Sequence, residues 1–330
     1  MASPMCQYLS EDGGPNDWHL MHLGRLAIGG CGIVFGEETA VEPNGRKTYS
    51  CAGMYDTKHV GAYRRLTNVI KENGAVPAIQ LGHSGRKGSC HGAIEGWRPL
   101  ELEDAKYGKA PWQVMAPTAH NCPPRPIFPK EMDLDDIKKV ISSFRTAAKM
   151  SIDSGYEIVE IHGAHGYLIH QFLSSTSNQR EDAYGGSLEN RMRLAVEVAV
   201  AVREVWPQDK PVFFRLSAVD GKGGSWSLFE SIQLAAALKA VEIDMIDVSS
   251  GGVMGDSEMP MVPRIPAYQV EFSKRIRSAV GIKTVAVGGI TEPKQAEEIL
   301  QAGDADLIAL ARELLWNADW PSHSAKALGL

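Results

Sequence analysis

Seven short apolar runs, separated by amphipathic stretches, constrain the fold of this 330-residue chain more than any other feature. Each run is four to six residues long and consists mostly of branched or otherwise apolar residues. Such runs are typical of parallel strands that are buried on both faces of a sheet. The runs cover residues 32–35, 76–81, 158–161, 212–216, 245–248, 284–287 and 307–310.

Helical periodicity fills the stretches between these runs. Apolar residues follow each other at steps of three and four, which predicts helices with one buried stripe. Thr291 is predicted to cap the helix over 292–302, because a hydroxyl side chain there precedes Pro293 in the first turn. The best-defined stripes are Leu134, Ile137, Ile141, Phe144 and Ala148, and Met192, Ala195, Ala199 and Val202.

The alternation of strands and helices predicts a parallel sheet, either open and doubly wound or closed into a barrel. No G-x-G-x-x-G follows the early strands, so the dinucleotide-binding form of the open sheet loses support. Seven runs and a stub at Met1-Ala2 count to eight. The pattern therefore favours an α/β fold of the TIM (β/α)8 barrel type.

The predicted barrel lacks most of its first strand, because Ser3-Pro4 follow the stub at once. A barrel without that strand is expected to have an open edge. Residues 83–133 contain Pro and Gly and little periodicity, which predicts a loop excursion over the carboxyl ends of the strands. No repeat or linker divides the chain, so residues 1–330 are predicted to form a single domain.

Composition excludes several partners. The net charge of −6 argues against nucleic acid, which requires a basic face. No apolar run approaches ~18 residues, so no membrane span is expected. The first residues do not have the pattern of a signal peptide. Five cysteines without a C-x-x-C pair are typical of a reducing compartment, and the expected location is the cytoplasm.

Polar residues or glycines lie at or just after the end of each predicted strand. In a (β/α)8 barrel these carboxyl ends meet at one face, where active sites form. The sequence therefore predicts one site assembled from all the strands. The residues at these positions are Cys6, Glu37, Glu38, Gln80, His83, His162, His165, Arg215, Ser249, Ser250, Gly288, Gly289 and Arg312.

The segment from His162 to Tyr167 has the highest density of chemically active groups. Two imidazoles at i and i+3 can donate hydrogen bonds to one carbonyl oxygen and stabilise an enolate-like charge. The Tyr167 phenol, two residues beyond His165, can deliver a proton. Two other interpretations remain open: a zinc site that includes His170, and a pair of loop histidines that bond to backbone groups.

Gly288, Gly289 and Arg312 follow the last two strands, where many barrels bind phosphate through backbone N–H groups and a guanidinium. Two turn glycines and a surface arginine would give the same pattern. Arg215 ends a strand that is otherwise apolar, so its charge needs an anionic or carbonyl partner. That partner is either a ligand or a neighbouring acidic side chain.

Gln80 and Cys6 each have two interpretations. The Gln80 amide can both donate to and accept from an imide edge such as the pyrimidine ring of a flavin, or it can make a hydrogen bond at the end of the sheet. Cys6 is either a thiol that tunes a redox centre or a small core residue. The residues by themselves do not decide between these interpretations.

Five motifs, taken together and in this order, resemble the Old Yellow Enzyme family of FMN-dependent ene-reductases. The cysteine of the first motif is similar to that of the class III, or thermophilic-like, branch. The resemblance extends from Ser3 to about residue 329, so the N-terminal hairpin of the family and most of its first strand are expected to be missing. The motifs are SPMCQY at 3–8, IQLGHSGRK at 79–87, EIHGAHGYL at 160–168, SNQR with DAYGGSLENR between 177 and 191, and ARELL at 311–315.

The resemblance implies a binding site for FMN. The N-terminal motif would wrap the flavin, Gln80 would bind its pyrimidine edge, and Arg215 would lie near its N1–O2 side. Glu38 stands where a small residue commonly contacts the flavin, and Ala311 stands where glycine is usual. The implied FMN-binding residues are Ser3, Pro4, Met5, Cys6, Glu38, Gln80, Arg215, Val287, Gly288, Gly289, Ala311 and Arg312.

The resemblance also implies a reaction. NADPH or NADH would reduce FMN, and hydride would then pass to the β-carbon of an α,β-unsaturated ketone or aldehyde. His162 and His165 would bind the substrate carbonyl, Tyr8 would line the pocket, and Tyr167 would protonate the α-carbon. A homo-oligomer is possible. The alternatives are a truncated or degenerate barrel that binds FMN weakly or not at all and has no catalytic role, and a metal-dependent barrel hydrolase.

Overall fold

The structure, a computed structural model, describes residues 1–120, 128–220, 224–253 and 264–330. Cys122 lies outside these residues; the four other cysteines are free thiols. Within the described part of the chain, no helix combines the length and apolar character needed to cross a membrane.

A parallel sheet of seven strands forms the centre of the fold, and its neighbours follow the order of the chain. All seven predicted runs are strands. The strands are β1 Ile33–Ala40, β2 Val76–Gly82, β5 Ile158–Gly163, β6 Val212–Ser217, β7 Met245–Ser249, β8 Lys283–Val287 and β9 Leu307–Ala309, with a separate parallel pair β3 Met115–Ala116 and β4 Lys130–Glu131.

Helices connect the strands, as the periodicity predicts. In the described residues they are α1 Asp17–Ile28, α2 Val60–Glu72, α3 Leu134–Asp153, α4 Leu168–Leu173, α5 Leu188–Arg203, α6 Leu228–Ala240, α7 Val270–Val280, α8 Pro293–Gln301, α9 Arg312–Trp316 and α10 Trp320–Ala327. Short 3₁₀ turns occur at Pro43–Gly45, Thr57–His59, Gly85–Lys87, Ala93–Glu95 and Leu102–Tyr107.

Ala2 closes the sheet into a barrel. It pairs in parallel with Val34 of β1 and with Leu310 directly after β9. The Ala2 N–H donates to Ile33 O at 2.9 Å, and the Ser3 N–H donates to Leu310 O at 2.8 Å. The sheet is therefore closed into a (β/α)8 barrel in which the stub at Ala2 takes the place of the first strand. The predicted open edge is not found, since even this short segment bonds to strands on both sides.

Two local predictions were wrong. The first strand extends to Ala40, so Glu37 and Glu38 lie inside β1, where its register with β2 shifts, and not beyond its end. The run appeared shorter because this half of the strand contains two carboxylates. The N-cap of α8 is Glu292 rather than Thr291; the Thr291 N–H instead donates to Gln295 Oε1 at 3.1 Å.

The interior of the barrel changes from apolar to polar along the strands. Its lower layer is an apolar cluster that includes Phe35, Phe213 and Met245. Because side chains alternate along a strand, the next inward positions lie two residues further on. They carry Gln80, Glu160, Arg215 and Asp247, all buried. His162 and Ser249 follow at the carboxyl ends, so the strands place ionisable groups directly beneath the candidate site.

The predicted excursion over 83–133 contains 3₁₀ turns and the small β3–β4 pair. It lies against the carboxyl ends of the strands. The His83 carbonyl accepts from Leu168 N–H at 2.9 Å, and Lys87 Nζ donates to the His165 carbonyl at 3.0 Å. Trp97 packs edge-on against Tyr8, with ring centroids 5.0 Å apart.

Candidate active site

The structure brings His162, His165 and Tyr167 together. The ring centroid of His162 lies 5.2 Å from that of His165 and 5.2 Å from that of Tyr167. His162 belongs to β5, while His165 lies in the following loop with a φ of +58°. Tyr167 is the N-cap residue of α4. A strand end and a tight turn thus direct three polar rings to one place.

Both histidines are neutral at physiological pH. Burial, and then the nearby positive charges, lowers the pKa of His162 and of His165 well below the ordinary value of 6.5. His165 Nε2 shares a 2.7 Å hydrogen bond with Ser249 Oγ. His162 Nδ1 is buried and has no hydrogen-bond partner among the described residues. The pair can therefore offer N–H donors without bringing a charge into the site.

His170 does not join this pair. Its Nδ1 accepts from the Gly166 N–H at 2.9 Å, and its Nε2 lies 2.7 Å from Asp220 Oδ1. These contacts hold the His170 ring in place and tie the loop between β5 and α4 to Asp220. The described residues contain no group of three His, Cys, Asp or Glu side chains arranged to hold a metal ion.

A buried lysine joins several of the predicted residues. Lys47 Nζ donates to Glu38 Oε2 at 2.6 Å and to Cys6 Sγ at 3.0 Å. The same ammonium lies 5.6 Å from the ring centroid of Tyr8 and 5.0 Å from that of Tyr167. The N-terminal motif and the β5 loop therefore meet around one positive charge. The charge of the Glu38 side chain is balanced by this lysine.

Glu37, next to Glu38 in the irregular part of β1, anchors the N-terminal segment. Its two carboxylate oxygens bond to Gln7 N–H at 3.1 Å and to His19 Nε2 at 3.0 Å. These bonds fix Gln7, which lies between Cys6 and Tyr8, and connect it through Glu37 to His19 of α1. Burial raises the pKa of the Cys6 thiol to about 12, so Cys6 is a neutral thiol and not a nucleophilic thiolate.

Beneath the site, Gln80, Glu160, Asp247 and Arg215 form a buried polar layer. Gln80 Nε2 donates to Glu160 Oε1 at 2.6 Å, and Arg215 Nε lies 3.4 Å from Asp247 Oδ2. Burial, together with the negative charge of Asp247, raises the pKa of Glu160 well above its ordinary value. We therefore expect Glu160 to be protonated and Asp247 to balance Arg215. The two structural interpretations from the sequence therefore correspond to contacts in the fold: Gln80 bonds to a neighbouring strand, and Arg215 forms an ion pair with Asp247.

A cavity of about 360 Å³ opens beside this layer. Ser249 also lines the cavity, so its bond to His165 connects the cavity with the histidine pair. Arg312 is exposed. The cavity contains six of the predicted FMN-binding residues: Arg215, Val287, Gly288, Gly289, Ala311 and Arg312.

The two glycines of the cavity wall are needed there. Gly288 has a φ of +107° and Gly289 a φ of +65°. A Cβ on Gly288 would lie 2.6 Å from Gln269 Nε2, and one on Gly289 would lie 2.8 Å from the Ile265 carbonyl oxygen. The backbone conformation and the close neighbours require glycine at both positions, and the backbone itself therefore forms the wall of the cavity.

The residues present fit a flavin mononucleotide. The Arg312 guanidinium and the glycine wall suit the phosphate, and the Arg215 guanidinium suits the flavin ring. Arg215 Nε and Ser3 Oγ are buried without a hydrogen-bond partner among the described residues, which leaves polar atoms for a ligand to use. Pro4 and Met5 lie between Ser3 and Cys6, on the segment that leads from the closing stub to Lys47. The individual contacts to FMN stay predictions.

Sequence reasoning missed several residues of the site. The sequence predicts Ser249 only as a residue at a strand end and does not predict its hydrogen bond to His165. Glu160 and Asp247 could have been found by stepping back two positions along the strands from His162 and Ser249. Lys47 had no such signal, because it lies in the loop after a 3₁₀ turn and its contact with Cys6 joins segments 41 residues apart.

Comparison with known proteins identifies the family of this chain. The whole chain, residues 1–330, matches the NADH:flavin oxidoreductase / NADH oxidase family. It is 42% identical over 332 residues to an NADPH dehydrogenase of Geobacillus sp. (strain WCH70), covering 100% of this chain and 90% of that protein. It is 41% identical over 325 residues to an NADPH dehydrogenase of Clostridium acetobutylicum, covering 98% and 89%.

Solved structures share the architecture. A 2-naphthoyl-CoA reductase complex superposes with a TM-score of 0.86 at 25% identity, covering 99% of this chain and 49% of that one. An old yellow enzyme homologue from Zymomonas mobilis superposes with a TM-score of 0.80 at 24% identity, covering 99% and 88%, which supports the fold. With a match over its full length and relatives above 40% identity, this chain belongs to the NADH:flavin oxidoreductase / NADH oxidase family of enzymes.

Proposed function

We propose that this FMN-dependent oxidoreductase uses NADPH or NADH to reduce the carbon–carbon double bond of α,β-unsaturated ketones and aldehydes. The observation that carries the proposal is the cluster of two neutral histidines and a tyrosine beside the cavity suited to FMN, joined to it through Ser249. Hydrogen-bond donors and a proton donor in one place are the groups that an enone reduction needs.

The cavity residues would hold the cofactor. Gly288, Gly289 and Arg312 would bind its phosphate, while Gln80 and Arg215 would face the ring from the polar layer below. Bound FMN would supply the hydride for the β-carbon of the substrate, after reduction by the nicotinamide nucleotide. Arg215, balanced by Asp247 and not by a second free carboxylate, keeps a positive group near the site.

The chain's own residues act on the substrate carbonyl. N–H donors of His162 and His165 stabilise the negative charge that develops on the carbonyl oxygen as the β-carbon accepts hydride. Since both rings are neutral, they donate hydrogen bonds without giving up a proton to the oxygen. Tyr167 then protonates the α-carbon, and Tyr8 forms a wall of the same pocket.

Further features of the protein belong to the same proposal. The partner is a small-molecule enone or enal, and the chain works in the cytoplasm, where its free thiols stay reduced. A homo-oligomer and membership of the class III branch are also proposed, the latter because of Cys6. The degenerate-barrel alternative has less support, since Ala2 closes the sheet and the catalytic side chains lie together.

Isotope labelling tests the reaction directly. The purified protein is given 2-cyclohexenone and NADPH deuterated at the C4 position that is oxidised, and the product is analysed by mass spectrometry and NMR. We expect cyclohexanone with deuterium at the β-carbon, and with deuterium at the α-carbon only when the solvent is D₂O. Cyclohexanone itself is the control and should not be reduced to cyclohexanol. NADPH oxidation without any saturated ketone would refute the proposal.

A further inference from the structure

Lys47 is a buried ammonium that contacts both the N-terminal motif and the catalytic loop. Its side chain is 4% exposed, and that of its partner Glu38 is 7% exposed. Burial of a lysine disfavours the charged form, but the Glu38 carboxylate, paired with Nζ at 2.6 Å, opposes this effect, and the pKa of Lys47 is raised well above its ordinary value. The lysine therefore keeps its proton, and a fixed positive charge lies in the site.

The position of this charge relative to Tyr167 is specific. Lys47 Nζ lies 5.0 Å from the centroid of the Tyr167 ring. Its bonds to Glu38 and Cys6 prevent it from swinging out to solvent. A phenol that donates its proton becomes a phenolate, and a buried phenolate without a nearby cation is costly. A cation held this close stabilises the ionised form more than the neutral one.

We propose that Lys47 is a positioning residue for proton transfer: clamped by Glu38 and Cys6 against the ring of Tyr167, its ammonium stabilises the phenolate that forms when Tyr167 donates its proton. The inference rests on the proposed function, in which Tyr167 protonates the α-carbon. In that step the Tyr167 O–H bond breaks, the electron pair of the enolate forms the new C–H bond, and the phenolate later takes a proton from water.

Other charged or titratable groups face Tyr167 as well. Lys87 adds a second ammonium, 5.7 Å from the ring centroid, which is bound to the carbonyls of His165 and Gly252. His162 is neutral, and burial also raises the pKa of Tyr8, so neither carries charge at pH 7. The groups around Tyr167 and Lys47 are Lys87, His162, His165, Tyr8, Cys6, Cys51 and Glu38. Substitution of Glu38 removes a negative charge from this environment, and substitution of Lys47 removes a positive charge.

The test measures the titration of Tyr167 in the holoenzyme. The protein is labelled with [¹³Cζ]tyrosine, and the Tyr167 resonance is identified by its loss in Tyr167→Phe. Lys47→Met removes the positive charge and should move the titration midpoint to higher pH by at least about one unit. Glu38→Gln removes the negative charge and should move it to lower pH. Lys47→Arg keeps the charge and should restore a midpoint near that of the wild type.

A matched control comes from the surface. Lys58 and Asp12 form an ion pair of the same length, 2.6 Å, but both are more than half exposed. Lys58→Met should leave the Tyr167 midpoint unchanged. A midpoint that moves in the same direction in Lys47→Met and Glu38→Gln, or in neither, would overturn the proposal. If Lys47→Met does not fold, Glu38→Gln decides: a shift to lower pH supports the proposal, and any other result overturns it.

The titration separates this proposal from the proposed function, since it needs no turnover. A chain that reduces no enone but shows the opposite shifts would refute the function and leave the Lys47–Tyr167 coupling intact. As a kinetic readout, the alkaline decline in the rate of enone reduction should follow the Tyr167 midpoint in each variant. A lysine with a merely structural role would lower stability or FMN content without moving that decline.

Discussion

Replacement of His162 by alanine should slow enone reduction far more than any other step. The structure leaves His162 Nδ1 buried and without a partner among the described residues, and the ring itself is 3% exposed. Loss of one such donor to a developing oxyanion costs about 2.7–4 kcal/mol of transition-state stabilisation. With 1.36 kcal/mol per factor of ten, the rate should fall by about 10²–10³.

The assay is anaerobic stopped-flow spectroscopy of the two half-reactions. Reduction of the flavin by NADPH should change less than tenfold in His162→Ala, because oxidation of a nicotinamide does not develop negative charge on oxygen. Reoxidation by cyclohexenone should show the full loss. His323→Ala, which removes an exposed histidine on α10, should match the wild type in both steps.

The pH dependence gives a second test of the same reasoning. The pKa of His162 lies well below 6.5 because the ring is buried, so the ratio of wild-type to variant rates should stay constant between about pH 6 and 8. If the donor were an imidazolium instead, the ratio would fall as pH rises. Equal slowing of both half-reactions, or a ratio that falls with pH, would refute the role given to His162.

Two further predictions concern the polar layer and the cavity wall. Because the pKa of Glu160 is raised by burial above its ordinary 4.5, the unfolded chain releases this proton at a lower pH than the folded chain, and wild-type stability falls as pH rises. In urea unfolding between about pH 5 and 7, Glu160→Gln should therefore gain up to about 1.4 kcal/mol per pH unit relative to the wild type. The exposed Glu189→Gln should show a constant difference, and a gain that shrinks with pH would contradict this prediction. Gly288→Ala should bind FMN at least about tenfold more weakly in a flavin-release assay, whereas Gly74→Ala, at a similar positive φ with open space around it, should keep its FMN; equal FMN content in both would argue against the glycine wall.

The barrel could be predicted from the sequence because apolar runs and helical stripes are local patterns. Errors arose where polar residues occupy regular structure. The second half of β1 contains Glu37 and Glu38, so it does not form an apolar run and was not predicted as part of the strand. The pairing of Ala2 with two strands could not be predicted from the sequence. This pairing requires β1 and the segment after β9 to lie side by side in the folded chain.

The candidate site could be predicted in outline for the same reason. His162, Arg215 and Gly288 follow apolar runs, and parallel strands deliver their ends to one face. Lys47 could not be predicted, because its position depends on how the loop after β1 folds over the N-terminal motif. The raised pKa of Glu160 depends on burial and on the nearby charge of Asp247, and only the assembled barrel produces both.

The most direct test of the central claim is the visible spectrum of the purified protein, recorded anaerobically before and after additions of NADPH and then cyclohexenone. The residues of the cavity and of the catalytic cluster predict a yellow protein that NADPH bleaches and the enone recolours, with one saturated ketone formed per flavin. A protein that stays colourless when FMN is added, or that NADPH bleaches but no enone recolours, would contradict the claim.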